Sequence, residues 1–101
     1  SPSEKTLGLA VEPLTPGIAR QLGASDVSQG LVISSVESNS DAARKGLSRG
    51  DIILSANNRP VASAADLEAA IRQARAAGRS AILLRVKGRG EAPAYVPVRL
   101  R

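Results

Sequence analysis

One run, Ala43-Arg44-Lys45-Gly46-Leu47-Ser48-Arg49-Gly50-Asp51-Ile52-Ile53-Leu54, constrains this chain more than any other stretch. Gly46 stands where a short helix ends in a left-handed residue, and Leu47 can fold back onto that helix. Gly50-Asp51 can then turn the chain so that Ile52 to Leu54 enter a sheet. The core such a chain builds must be aliphatic. Of the 101 residues 43% are hydrophobic, yet Tyr95 is the sole aromatic residue and Met, Cys and Trp are absent. That length, with 23% charged residues, bounds the chain to one modest globular domain.

Composition removes several function classes. With no histidine and no cysteine, neither a Ser-His-Asp triad nor a thiolate nucleophile can be assembled. Lys5, Lys45 and Lys87 fall in a polar end, a helix end and an exposed strand, positions unsuited to a Ser-Lys dyad. Asp51, Asp66 and Glu91 are isolated and form no ligand cluster, so no metal, cofactor or catalytic residue is expected. The net charge of +5 gathers towards Arg85, Lys87, Arg89, Arg99 and Arg101. No aromatic residues accompany these arginines for base stacking, and Leu84-Arg85-Val86-Lys87 alternates as a half-solvated strand does, so nucleic acid is not an expected partner. The longest aliphatic run, Ala81-Ile82-Leu83-Leu84, falls far short of the roughly 20 residues that span a bilayer, and no direct membrane insertion is expected. The absence of methionine is read as the mark of a segment cut from a longer protein. Residues 1–5 then read as the end of a polar linker, and 6–101 as the domain.

Along the chain, Leu7-Gly8-Leu9-Ala10-Val11 reads as a strand, and Pro13 makes it an edge strand because proline cannot donate a ladder hydrogen bond. A short helix follows, with Thr15 as N-cap, Pro16 at its first position and Gly23 as terminator. Gly30 to Val36 is rich in β-branched residues and reads as a strand. A short helix over Ala42 to Lys45, capped by Ser40 or Asn39, comes next. Asp51 to Ala56 is the next strand, Asn57-Asn58 a turn, and Val61 a brief return strand. Ser63-Ala64-Ala65-Asp66 has the form of a helix cap. The helix Leu67 to Ala77 then sets Leu67, Ala70, Ile71 and Ala74 on one face and stops at Gly78. Ala81–Lys87 and Ala94–Leu100 read as a final hairpin across Gly88-Arg89-Gly90-Glu91.

The run from Ala43 to Leu54, followed by Asn57-Asn58-Arg59-Pro60-Val61, resembles the corresponding segment of PDZ domains. The leading Leu7-Gly8-Leu9, the Leu14 to Leu22 segment and the closing Tyr95-Val96-Pro97-Val98 resemble the circularly permuted PDZ domains of bacterial HtrA/Deg serine proteases, most of all a second, C-terminal one. Asp41 and Asn58 depart from the family's usual proline and glycine. The resemblance implies an α+β, partly open antiparallel barrel or sandwich of five to six strands with two to three helices. It also implies a peptide-binding module that adds an extended ligand to an edge strand beside a helix. Thr6-Leu7-Gly8-Leu9 would be the loop whose N–H groups receive a ligand carboxylate, Leu9 to Glu12 the edge, and Leu67, Ile71 and Ala74 the helix wall. The implied peptide-binding residues are thus Leu7, Gly8, Leu9, Ala10, Val11, Leu67, Ile71 and Ala74. Leu67 in place of the family's frequent histidine implies a ligand apolar two residues before its C-terminus. Small Ala74 implies a terminal pocket, formed with Leu7, Leu9 and Ile71, that admits a large side chain. The implied partners are peptide or unfolded-protein C-termini, with the protease domain and sibling PDZ domain of a periplasmic parent chain. A site-two intramembrane protease, a secretion-system component, or a scaffold whose groove is filled by its own chain are the alternatives.

Overall fold

The computed structural model describes residues 2–101. Its elements run α1 (Pro2–Leu7), β1 (Leu9–Pro13), α2 (Pro16–Gln21), β2 (Leu31–Val36), α3 (Asp41–Arg44), β3 (Ile52–Ala56), β4 (Arg59–Pro60), α4 (Ala64–Ala76), β5 (Ala81–Lys87) and β6 (Ala94–Arg99). The strands form one antiparallel sheet in the order β1-β2-β3-β5-β6, with β4 paired to β3 alone. The expected α+β architecture is present, with one helix more than expected.

That extra helix is α1. The stretch expected as linker is helical over Pro2–Leu7, with Ser3 buried, while Ser1 lies outside the described residues. Its C-terminal carbonyls are satisfied from across the chain. The N–H of Arg101 donates to the Thr6 carbonyl at 2.8 Å, and the Arg101 guanidinium donates to those of Lys5 and Glu4 at 3.3 and 2.7 Å. The Lys5 and Thr6 carbonyls are orphan acceptors of a helix end, and a partner almost a full chain length away supplies their donors. The return strand is also displaced from its expected place. The strand itself is Arg59–Pro60, paired with β3, and Val61 follows it, donating its N–H to the Leu54 carbonyl at 3.3 Å while its side chain enters the core at 1% exposure.

The remaining helices follow local chemistry. The Thr15 hydroxyl accepts the Ile18 N–H, the Ser40 hydroxyl accepts that of Ala43, and Ser63 accepts that of Asp66. The Asp66 carboxylate receives the N–H groups of Ala62 and Ser63 at 2.8 and 3.2 Å, completing a capping box despite its short side chain. Asn57 and Asn58 both adopt positive φ, 49° and 66°, so Asn58 fills a turn position usually left to glycine.

Period-two alternation gives β2 and β3 two apolar faces. Leu31, Ile33 and Ile53 enter the main core with Leu7, Leu9, Leu67, Ile71, Ile82 and Leu84. Val32 and Ile52 meet Ala24, Ile18 and Leu22 in a smaller cluster under α2. In α4, Leu67, Ala70, Ile71 and Ala74 form the buried stripe that their spacing predicts.

The outer edge of β6 is closed by α3 and its C-cap. Pro97 has no N–H, its carbonyl accepts the Lys45 ammonium at 2.6 Å, and the Arg99 N–H donates to Asp41 Oδ2 at 3.0 Å. Side chains thus stand where another strand would dock. The Arg99 N–H, then Lys45 and Arg44, hold the Asp41 carboxyl below its ordinary pKa. The N–H groups of Ala62 and Ser63 do the same for Asp66. A carboxylate with a lowered folded pKa stabilises the fold above its unfolded pKa of about 3.9, and that contribution is lost as pH falls through the folded value. Melting temperature should therefore decline below about pH 4, and less steeply in an Asp41→Asn, Asp66→Asn double variant. A pH 2–6 melting series with identical slopes for both proteins would contradict this.

Candidate functional site

The opposite edge of the sheet is built differently. The Gly8 carbonyl accepts the Glu37 N–H and the Leu14 N–H donates to Gly30, each at 2.9 Å. Because hydrogen-bonding direction alternates along a strand, Ala10 and Glu12 face β2, whereas Leu9, Val11 and Pro13 turn their backbone groups to the outer edge. The register with β2 shifts between Ala10 and Val11, where Ser34 is passed over. This bulge lies on β2 and leaves the alternation of β1 intact. Among the described residues no strand pairs with the outer side of β1, and α4 packs against the strand.

Gly8 sets the entry to this edge. Its φ of +75° is a left-handed conformation, and a Cβ placed there would lie 2.7 Å from Ser40 Cβ. Ser40 is itself fixed: it is 1% exposed, caps α3, and donates its hydroxyl to the Glu37 carbonyl at 2.6 Å. The β2–α3 connection is thereby pressed onto the backbone at Gly8. Only glycine fits both the dihedral and the space.

The expected binding residues are brought together, but not as an open groove. Leu7, Leu9, Leu67, Ile71 and Ala74 are all at most 5% exposed, Gly8 is buried, and Ala10 and Val11 are half-buried. Leu7, Leu9 and Ile71 pack in one core cluster, so the space expected between them is filled by those same side chains, while Ala74 lies outside that cluster. In an all-aliphatic core, α4 settles directly onto β1. Leu7 also belongs to α1 rather than to a loop, so Thr6-Leu7-Gly8-Leu9 is a helix end and its left-handed cap. Two surface cavities open away from β1, the first bordered by Ala74. One of about 340 Å³ lies among Asn57, Asn58, Gln73 and Leu83, and one of about 320 Å³ lies among Thr15, Ala19, Arg20 and Val27. Arg75, late in α4, donates to the Arg101 carbonyl. Sequence reasoning missed Arg101 and Glu37, whose guanidinium and carboxylate pair beside Gly8.

Residues 6–89 match the family model of the PDZ domain. The chain belongs to the PDZ family. Among curated relatives, a protein of Bartonella henselae named "Probable periplasmic serine endoprotease DegP-like" is 44% identical over 88 residues. The match covers 84% of this chain and 15% of that protein. Mouse "Serine protease HTRA3" is 32% identical over 67% of this chain and 16% of its own length. The chain thus spans about 15% of the length of the curated relatives it matches. Among solved structures, the HtrA3 PDZ domain bound to a phage-derived ligand, FGRWV, superposes with a TM-score of 0.76 at 28% identity. The match covers 94% of this chain and 84% of that one. The HtrA-type protease AlgW with a decapeptide gives a TM-score of 0.65 at 27% identity, covering 96% of this chain and 30% of that one. This PDZ domain is thus of the kind found in DegP-like and HtrA proteases. In its permuted order β1 comes first, beside the late helix α4.

Proposed function

We propose that this PDZ domain serves a Deg/HtrA-type serine protease of the bacterial periplasm, as its second PDZ domain. There it binds substrate C-termini or exposed apolar segments by adding them as a strand to β1. The observation that carries this reading is the contrast between the two sheet edges. That of β6 is closed by Pro97, Asp41 and Lys45, whereas that of β1 offers the backbone groups of Leu9 and Val11 beside α4. The peptide ligands of the two HtrA relatives support it. Peptide cleavage belongs to another part of the parent chain, since this domain carries neither histidine nor cysteine.

Strand addition uses the outward N–H of Val11, and removing it tests the reading. Val11→Pro leaves the β2 ladder intact because that N–H does not face β2. With peptides drawn from a decapeptide library, affinity should fall by about tenfold while the melting curve is retained, the combined effect of one lost hydrogen bond and the ring at the edge. Unchanged affinity would place binding elsewhere. The near-complete burial of Leu67 and Ile71 favours a second reading, a scaffold module for oligomer contacts with its slot filled from within. Failure of the whole library to bind would favour that reading.

A further inference from the structure

The entrance to β1 is already occupied by groups of this chain. In an α-helix each N–H points to the carbonyl four residues earlier. Leu7 ends α1, so its amide is directed back along that helix, and the Gly8 N–H donates to the Glu4 carbonyl at 3.0 Å. Of the loop amides that would converge on a carboxylate, those of Leu7 and Gly8 are therefore consumed within α1, and that of Leu9 faces the outer edge for strand pairing. An anion is already present as well. Glu37 Oε2 lies 3.4 Å from the point a Gly8 Cβ would occupy, and it pairs with the guanidinium of Arg101. Arg101 also donates through Nη2 to the Glu4 carbonyl and through Nε to that of Lys5. A ligand carboxylate arriving here would meet the charge of Glu37 and a cation already matched.

We infer that Glu37, paired with Arg101 over the capped end of α1, fills the carboxylate position, so that this site takes extended segments by backbone pairing without requiring a free C-terminus. The inference deepens the reading above and rests on it. It makes internal chain segments, such as those an unfolded protein exposes, as good ligands as chain ends.

The test compares matched decapeptides from one library, each made as a free acid and as a C-terminal amide, titrated against the full chain. Free acid and amide should bind within about threefold of each other, less than one charge-assisted hydrogen bond provides. Glu37 is exposed, so Glu37→Ala should fold. It frees the Arg101 guanidinium, and the free acid should then be favoured by about tenfold, a preference that shrinks in high salt. Adding Arg101→Ala to Glu37→Ala should bring the two forms back together. A free-acid preference beyond about tenfold in the unaltered domain would overturn the inference while leaving strand addition intact. So would a Glu37→Ala domain that still binds both forms equally. If neither form bound, the reading of β1 as a peptide site would fall, and this inference with it.

Discussion

Leu67→Ala is expected to lower folding stability by about 3 kcal/mol, the middle of the range for a fully buried leucine whose surroundings relax only in part. Leu67 is 0% exposed and lies in one cluster with Leu7, Leu9 and Ile71, so its removal opens a cavity between α4 and β1. In a domain of this length the melting temperature should fall by about 12–24 °C. A domain stability of about 5–15 kcal/mol leaves the variant folded but marginal. Thermal and urea melts decide the matter. Were Leu67 mainly the wall of an open groove, the loss would stay below about 1 kcal/mol and only peptide affinity would suffer.

Gly8→Ala should be of similar size, about 2–4 kcal/mol, for two separable reasons. The left-handed dihedral costs an L-residue about 1–2 kcal/mol, and the 2.7 Å approach to Ser40 Cβ adds an overpacking penalty. Gly46→Ala is the control, since Gly46 has φ +86° but nothing within 4 Å of its Cβ position, and it should show the dihedral cost alone. Ser40→Gly removes the obstructing Cβ, and glycine is a tolerable N-cap. Combined with Gly8→Ala it should therefore cost less than the sum of the single changes. Strict additivity in urea unfolding would mean that Gly8 and Ser40 are not the contact described.

What the sequence disclosed follows the range over which each feature is determined. Gly46, Gly50-Asp51 and Ser63-x-x-Asp66 are local, and the helices, turns and strands they imply stand where expected. Pro13 marked β1 as an edge correctly, though the proline pairs within the strand, opposite Leu31. The α1 helix was hidden because its end is satisfied by Arg101 rather than by its neighbours, although Pro2 and Glu4 in its first turn were a usable signal. Lys45 reads as a helix end and Asp41 as the residue leading into that helix, and their second role, closing β6 across 52 and 58 residues, required the tertiary fold. The site was legible as a set of residues but not as a shape. Alternation and the α4 stripe brought Leu7, Leu9, Leu67 and Ile71 together, yet no pattern says how closely α4 settles on β1. Nor does the polar run Glu37-Ser38-Asn39-Ser40-Asp41 reveal that its first residue folds over Gly8.

The most direct test is amide hydrogen exchange of the folded domain with and without a bound library peptide, read at neighbouring β1 residues. Ala10 and Glu12 face β2 and should exchange slowly in both states, whereas Leu9 and Val11 face outward and should become protected only when peptide is present. New protection alternating in this way identifies the ligand as an added strand on β1. New protection along β6, or bound peptide with Leu9 and Val11 still exchanging freely, would contradict the account.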